Sequence, residues 1–195
     1  GPHRRAALEA LKAAKNRLWL VSNQVKARPL FKRMVLERAA APGKIIFFAH
    51  QECVRKFLVE TLREAGHAPV HLCGSTGGAE RGRLVAELAS ESHPTRIGVF
   101  SITACGVAAT CSPGVTRAVI WELMWTPGAH AQSEDRVHRL NTTHPVTVEY
   151  LCVEQTLDDE VIKVQAQKRS DTHAATRGSR PSESFFAETR TVELA

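Results

Sequence analysis

The sequence lacks several features that would each indicate a particular class of protein. Its 195 residues contain no apolar run that approaches the ~20 residues of a membrane-spanning helix. No G-x-x-x-x-G-K-[ST] motif occurs, so this chain has no loop of the type that cradles nucleotide phosphates. With 43% hydrophobic and 24% charged residues, the composition is that of an ordinary globular domain. We therefore expect one domain with flexible ends and no membrane partner.

Cysteine pairs with the spacing of a metal or redox motif are also absent. The cysteines are Cys53, Cys73, Cys105, Cys111 and Cys152, an odd number without a C-x-x-C pair. This pattern argues against a disulfide framework and against a zinc knuckle. No group of His, Cys, Asp or Glu has metal-ligand spacing, and no nucleophile–His–acid set stands out. We expect no protein-held metal and a reducing, intracellular compartment.

Acidic residues are scarce in the amino-terminal part. Residues 1–44 hold eleven Lys and Arg against two Asp and Glu, a local charge of +9, whereas residues 45–195 have a local charge of −3. A basic segment of this kind can bind an acidic partner such as nucleic acid. A solvated amphipathic helix that acts as a connector explains the charge equally well. Residues 1–43 are predicted to form a basic helical connector.

The rest of the chain alternates buried strands with amphipathic helices. Residues 44–50 hold a continuous apolar run, typical of a strand buried on both faces. The next residues have helical spacing that ends at Gly66. The alternation continues to residue 168, with a short helix predicted at residues 103–110 and a strand at residues 147–153. Residues 44–168 are therefore predicted to form an α/β sandwich with a mainly parallel sheet, and residues 169–195 a polar, disordered tail. Ligands of such folds bind at loops after the carboxyl ends of the strands.

One predicted helix carries the strongest chemical signal. Gln132, Arg136 and Arg139 lie at i, i+4 and i+7, so a helix places them on one side. Guanidinium groups bind phosphate oxygens bidentately and keep their charge. Such arginines can stabilise the charge that develops on a transferred phosphoryl group. Taken alone, the spacing is more often that of a plain surface helix with ion pairs, such as Asp135 with Arg139.

The order of these segments resembles the second RecA-like lobe of superfamily-two helicases, and within them the Swi/Snf-type DNA translocases. The resemblance covers about residues 30–168. In the family, the matching blocks are the first strand of the lobe, a loop that touches the DNA backbone, a Ser/Thr block that couples DNA to nucleotide, a Trp-Asn-Pro segment and an arginine-finger helix. Here they are residues 44–50, 74–76 with Arg81, 100–110, 122–128 and 132–139. The amino-acid sequence at residues 48–50, 101–104 and 122–125 is similar to that of the annealing-helicase branch.

The resemblance implies a RecA-like three-layer sandwich and a motor lobe acting on double-stranded or forked DNA, in DNA repair or chromatin remodelling in the nucleus. ATP and Mg²⁺ would bind mainly to a first RecA-like lobe of the same polypeptide, so this chain alone is expected not to hydrolyse ATP. The implied catalytic residues are Arg136, Arg139 and Gln132, and the two arginines with Gly106 would contact the nucleotide. The implied DNA contacts are His50, Gln51, Gly74, Ser75, Thr76, Arg81, Ser101, Thr103 and Trp125.

Plainer interpretations exist for these positions, and the sequence departs from the family pattern in places. Residues 74–76 could form an ordinary turn with a helix cap, and Trp125 could be a core residue. Ala108 replaces a usual glycine, Thr126 a usual asparagine, and residues 140–142 read Leu-Asn-Thr where the family has Ile-Gly-Gln. A degenerate lobe that binds DNA or protein without ATP chemistry is therefore an alternative. A phosphate-ester-binding α/β domain unrelated to helicases is a third.

Overall fold

The computed structural model describes residues 2–103, 111, 114–137, 145–175 and 191–192. Helix α1 spans Pro2–Gln24 and is followed by 3-10 turns at Val25–Ala27 and Pro29–Phe31 and by α2 at Lys32–Ala40. The remaining elements are β1 (Lys44–Ala49), α3 (Glu52–Glu64), β2 (Val70–Leu72), α4 (Gly78–Ala89), β3 (Ile97–Ser101), β4 (Val115–Ile120), α5 (Pro127–Val137), β5 (Thr147–Tyr150), β6 (Cys152–Val153), α6 (Leu157–Ala175) and β7 (Thr191–Val192). No helix among these combines the length and apolar character needed to cross a membrane.

Five strands form one sheet in the order β2-β3-β1-β4-β5, and every pairing is parallel. The central strand is β1, in which Phe47 aligns with Val99 of β3 on one side and with Val119 of β4 on the other. The strand order reverses beside β1, and α/β sheets bind their ligands outside the carboxyl ends of the strands at such a point. The predicted fold class, an α/β sandwich with a parallel sheet, is confirmed.

Helices cover both faces of the sheet, which gives the three layers expected of a RecA-like lobe. All six residues of β1 are buried, and successive side chains of a strand point to opposite faces. Ile45 and Phe47 belong to the core beneath α2 and α3. Ile46 and Phe48 belong to the core beneath α4, α5 and α6. The continuous apolar run of residues 44–50 therefore marked a strand that is covered on both sides.

Helix α3 forms where its sequence predicts and leads directly away from the ligand edge. Val54, Leu58 and Leu62 repeat at helical spacing, and all three are fully buried. The helix ends at Gly66, whose φ of 83° lies in the left-handed region that glycine adopts without strain. The Gly66 N–H donates to the Arg63 carbonyl at 2.9 Å and closes the last turn. The first turn of α3 thus stands at the carboxyl end of β1.

One predicted strand is divided in the structure. Residues 147–153 were expected to be continuous, but β5 ends at Tyr150 and β6 begins at Cys152. Leu151 lies between them: its N–H donates to the Ile120 carbonyl at 2.9 Å, and its carbonyl accepts a hydrogen bond from Lys26 Nζ at 3.1 Å. The Lys26 side chain of the connector thus donates a hydrogen bond to the backbone at the residue between β5 and β6.

The boundary of the predicted tail also differs. Helix α6 continues past residue 168 to Ala175, and β7 pairs with β6 in a separate two-stranded sheet. Residues 169–175 contain no glycine or proline to end the helix, so the polar composition placed the start of the tail too early. The predicted short helix at residues 103–110 lies almost entirely outside the described residues.

Gly114 marks a close approach between the start of β4 and the end of α4. A Cβ at this position would lie 2.4 Å from the Leu88 carbonyl oxygen and 2.5 Å from that of Ala89. Because backbone cannot move aside cheaply, we expect Gly114→Ala to lower the free energy of unfolding by about 1–3 kcal/mol. Gly82 is the matched control, since a Cβ there meets nothing within 4 Å inside α4, and Gly82→Ala should raise that free energy by up to about 1 kcal/mol. Urea denaturation measures both free energies of unfolding. An unchanged value for Gly114→Ala would contradict the close approach of Gly114 to the end of α4.

Candidate functional site

The structure brings most of the predicted DNA contacts to the carboxyl edge of the sheet. His50 and Gln51 follow β1, Ser101 ends β3 with Thr103 just beyond it, and residues 74–76 follow β2. These three strands are neighbours in the order β2-β3-β1. Adjacent strands lie about 5 Å apart, so the three strand ends form a row about 10 Å long. We name this row of strand ends and loops the edge row.

A buried carboxylate organises the turn between β1 and α3. The Glu122 side chain lies two positions beyond β4 and is 0% exposed. Its Oε2 accepts hydrogen bonds from the backbone N–H groups of His50 at 2.6 Å and Gln51 at 2.8 Å, and its Oε1 accepts one from the Gln51 side-chain amide at 3.1 Å. Glu122 therefore holds two predicted contact residues in place. It was not among the predicted site residues, although an acidic residue just after a buried strand is a recognisable signal.

The second half of α1 lies against this turn. Trp19 is 3% exposed, and its ring centroid is 5.4 Å from that of His50. Its indole N–H donates to the Leu123 carbonyl at 2.9 Å. The neighbouring carbonyl of Leu20 accepts a hydrogen bond from the Gln51 side chain at 2.9 Å. The predicted connector therefore includes a helix with an exposed basic first half and a second half that packs on the site.

The loop after β2 is held from within. Thr76 Oγ1 accepts a hydrogen bond from the Cys73 N–H at 3.1 Å, and the Cys73 carbonyl accepts one from the Thr76 N–H at 3.2 Å. From α4, Arg81 Nη2 donates to the carbonyls of both residues at 3.2 Å. Gly74 and Ser75 are exposed at the tip. Arg81 thus braces the loop, while Gly74 and Ser75 face solvent.

The thiol at the base of this loop has an altered acidity. A hydrogen bond of 3.1 Å between Cys73 Sγ and Ser75 Oγ lowers the pKa of the Cys73 thiol, and partial burial opposes that change. Thr76 Oγ1, at 3.7 Å from the same sulfur, lowers this pKa further. A larger thiolate fraction makes the thiol a faster nucleophile toward alkylating reagents. Cys73 is therefore a chemical probe of whatever covers the loop.

The end of β3 presents one buried and one exposed hydroxyl. Ser101 is 3% exposed, whereas Thr103 is exposed. Ser101 Oγ lies 3.2 Å from Thr103 Oγ1. The Ile102 N–H donates to the Ala49 carbonyl at 3.1 Å and ties this end to the end of β1. Thr103 is therefore the member of the pair that can reach a ligand. Gly106, predicted to contact the nucleotide, lies outside the described residues.

Helix α5 carries Gln132 and Arg136 one turn apart, as predicted. Gln132 is exposed, and Arg136 is half-buried. The Arg136 Nε is buried and makes no hydrogen bond to any residue in the described part of the chain. A buried donor without an acceptor is costly, and a phosphate oxygen is an acceptor that suits a guanidinium. Arg139, the third residue of the predicted set, lies outside the described residues.

The position of Trp125 is compatible with a core residue and with a DNA contact. It is half-buried and packs against the core beneath α4, α5 and α6. It lies between Glu122 and the start of α5, so its exposed part is in the segment that joins the edge row to α5. An indole that is part core and part exposed can bind a ligand without losing its packing.

The described residues suit an anionic ligand better than a metal. Within the described ranges, no group of three or more His, Cys, Asp or Glu side chains is placed to hold a metal ion. Gln132 and Arg136, one turn apart on α5, offer amide and guanidinium groups of the kind that bind phosphate oxygens.

Comparison with known proteins finds a SWI/SNF-related regulator of chromatin and a DNA annealing helicase among the relatives of this chain. The chain is 34% identical over 131 residues to the SWI/SNF-related matrix-associated actin-dependent regulator of chromatin subfamily A-like protein 1 of Xenopus tropicalis, a match covering 64% of this chain and 14% of the relative. It is 30% identical over 135 residues to the DNA annealing helicase and endonuclease ZRANB3 of Mus musculus, covering 69% of this chain and 12% of the relative. The chain therefore spans a small part of each. No family model matches it.

A solved structure supports the same fold. The C-terminal part of the Fun30 ATPase domain superposes on the chain with a TM-score of 0.59 and 21% sequence identity. The match covers 69% of this chain and 42% of that one. At this identity the likeness concerns the fold alone, and it agrees with the parallel sheet order β2-β3-β1-β4-β5.

Proposed function

Because the chain is a C-terminal RecA-like lobe of the SWI/SNF-related family, we propose that it serves as the second motor lobe of an ATP-dependent double-stranded-DNA translocase or annealing helicase. The observation that carries this proposal is the placement of the edge row beside α5, which follows the adjacent strand β4. The edge row offers hydroxyls and backbone N–H groups for one phosphate ligand, and α5, which begins after the carboxyl end of β4, carries the Arg136 guanidinium for another. A DNA-driven ATPase needs both.

On the DNA side, the edge row would bind the backbone of one strand. The exposed tip at Gly74 and Ser75 offers N–H groups and a hydroxyl, and Thr103 offers a second hydroxyl from the neighbouring strand. Contacts of these types position a protein on phosphates without reading sequence. His50 and Gln51, held by Glu122, would extend the row toward β4.

On the nucleotide side, Arg136 and Arg139 would approach the γ-phosphate of an ATP molecule held by a first lobe, with Gln132 and Gly106 beside it. Guanidinium groups in this position stabilise the negative charge of the transferred phosphoryl group. Closure of the two lobes on ATP would move the edge row along the DNA strand, and opening after hydrolysis would release it. The full polypeptide would then be a DNA-dependent ATPase, of which this chain supplies half the nucleotide site. We assign Mg²⁺ binding to the first lobe.

The cellular setting follows from the relatives. One is named as a DNA annealing helicase and another as a SWI/SNF-related regulator of chromatin. We place the activity of the full polypeptide in the nucleus, in DNA repair or chromatin remodelling, on duplex or forked DNA. The degenerate-lobe alternative shares the DNA contacts and differs in having no ATP chemistry.

Alkylation of Cys73 tests the DNA contacts of the edge row on this chain. Since hydrogen bonds from the loop lower the pKa of this thiol, it should react readily with iodoacetamide at pH 7, and more slowly as the pH falls and the thiolate is protonated. Duplex DNA at saturating concentration should slow its alkylation by about tenfold if it covers the loop. Mass spectrometry of the modified peptides measures the rate.

The matched control is a cysteine at the opposite edge of the sheet. Ser92 is exposed in the turn between α4 and the start of β3, outside the basic residues 1–44, and the thiol introduced by Ser92→Cys should react at the same rate with and without DNA. Equal protection of both thiols would indicate non-specific coating. No protection of Cys73 would contradict the placement of DNA on the edge row.

A further inference from the structure

The segment that carries Trp125 is held by side chains from two other helices. Leu123, Met124 and Trp125 connect Glu122 to α5, and we name them the Trp125 segment. Each of their three successive carbonyls accepts a side-chain hydrogen bond from outside the segment. The donors are Trp19 of α1 to Leu123 at 2.9 Å, Gln165 of α6 to Met124, and Lys168 of α6 to Trp125 at 2.9 Å.

Gln165 also contacts α5 through a buried histidine. His130 of α5 is 0% exposed and Gln165 is 2% exposed. The Met124 N–H donates to His130 Nε2 at 2.9 Å, and the Gln165 side-chain nitrogen lies 3.1 Å from His130 Nδ1. One amide group therefore contacts both the Trp125 segment and α5. His130 lies two positions before Gln132 on the same helix.

Burial distinguishes Gln165 from the neighbouring donor on α6. Lys168 is exposed, so water can replace its hydrogen bond to the segment when the side chain is removed. His130 and Gln165 are both buried, and a buried group that loses its partner carries the full desolvation cost. Gln165 therefore adds a buried link between the Trp125 segment and α5 to the direct hydrogen bond from Met124 to His130.

We infer that Gln165 is a positioning residue that joins the Trp125 segment to α5, so that a DNA contact at Trp125 and a nucleotide contact at Arg136 shift as one unit. This inference rests on the proposed function and adds the coupling element to it. Gln165 touches neither ligand; it acts through Met124 and His130. Its loss should therefore weaken the effect of DNA on ATP turnover more than it weakens turnover itself.

The test is the factor by which duplex DNA stimulates ATP turnover in the polypeptide that carries both lobes. Gln165→Met keeps the side-chain length and removes the donor, and it should lower this factor by about tenfold, the scale of a small misplacement at a reacting centre. A loss of folded protein reduces turnover with and without DNA equally, so a purely structural role leaves the factor unchanged. Lys163→Met, at an exposed position of α6, is the matched control and should leave the factor as in wild type.

A double-variant cycle shows whether Gln165 acts through the Trp125 segment. In a Trp125→Ala background, Gln165→Met should cause little further loss, because interacting positions are not additive. If Gln165→Met gives no folded protein, Lys168→Met is measured in the same way, with an expected loss of about two- to threefold. A wild-type protein whose turnover ignores DNA would overturn the proposed function and this inference together. A wild-type protein that is stimulated, with an unchanged factor in the variant or with losses that multiply in the cycle, would overturn this inference alone.

Discussion

Replacing Arg136 by alanine is expected to lower DNA-stimulated ATP turnover by about 10³-fold in the polypeptide that carries both lobes. The Nε of this residue is buried and has no hydrogen-bond acceptor among the described residues, and a guanidinium is a good donor to phosphate oxygens. The γ-phosphoryl group is the anion that the proposed function supplies, and its charge grows in the transition state. Steady-state ATP hydrolysis at saturating duplex DNA measures the effect.

Two further variants separate charge from geometry at this position. Arg136→Lys keeps a positive charge but loses the planar guanidinium fork, so its turnover should lie between those of the alanine variant and wild type. Arg33→Ala removes a guanidinium that is 87% exposed on α2 and paired with Glu37, and it should leave turnover unchanged. Wild-type turnover in Arg136→Ala would reject the arginine-finger role and favour the degenerate-lobe alternative.

Replacing Asp158 by alanine is expected to lower the free energy of unfolding of the chain by about 3–5 kcal/mol. Its Oδ2 lies 2.7 Å from Lys26 Nζ, and both side chains are only 2% exposed. The same oxygen accepts the Val153 N–H at 2.9 Å, and Lys26 also donates to the Leu151 carbonyl at 3.1 Å. Burial around this pair is strong enough to raise the pKa of the neighbouring Cys152 thiol to about 11, with Asp158 contributing. Removing one charge leaves the other buried without its counterion.

An exposed ion pair on the same chain provides the control. Lys32 and Glu64 lie 2.6 Å apart with side chains 42% and 62% exposed, and Glu64→Ala should change the free energy of unfolding by less than about 1 kcal/mol. The double variant Lys26→Met with Asp158→Leu should recover most of the loss, because no charge is then buried. Urea denaturation followed by circular dichroism measures all three. An Asp158→Ala variant as stable as Glu64→Ala would show that the buried pair does not join the connector to α6.

The elements that the sequence predicted well are those whose signal is local. The apolar run at residues 44–50 and the helical spacing of α3 with its closing Gly66 both appear where expected. At the division between β5 and β6, the Leu151 carbonyl accepts a hydrogen bond from Lys26, which is distant in sequence and meets Leu151 only after folding. The length of α6 was underestimated because a polar composition does not distinguish an exposed helix from a disordered tail.

The candidate site shows the same division between local and long-range signals. Placing His50, Thr103 and the 74–76 loop at one edge followed from counting parallel strands, because the ends of parallel strands share an edge. Glu122 and Gln165 were not predicted as site residues. Each acts through hydrogen bonds to segments far away in sequence, to the β1–α3 turn and to Met124 and His130 respectively. No spacing rule within one segment indicates such contacts.

The proposed motor function is tested most directly by ATP turnover of the polypeptide that carries both lobes, measured as DNA is added. Under the proposed function, duplex and forked DNA should raise turnover in a saturable manner, and single-stranded DNA should raise it less. Arg136→Ala should abolish the rise, while duplex DNA bound on the edge row should still protect Cys73 from alkylation. A turnover that no form of DNA changes would contradict the assignment of this chain as the second lobe of a DNA-driven motor.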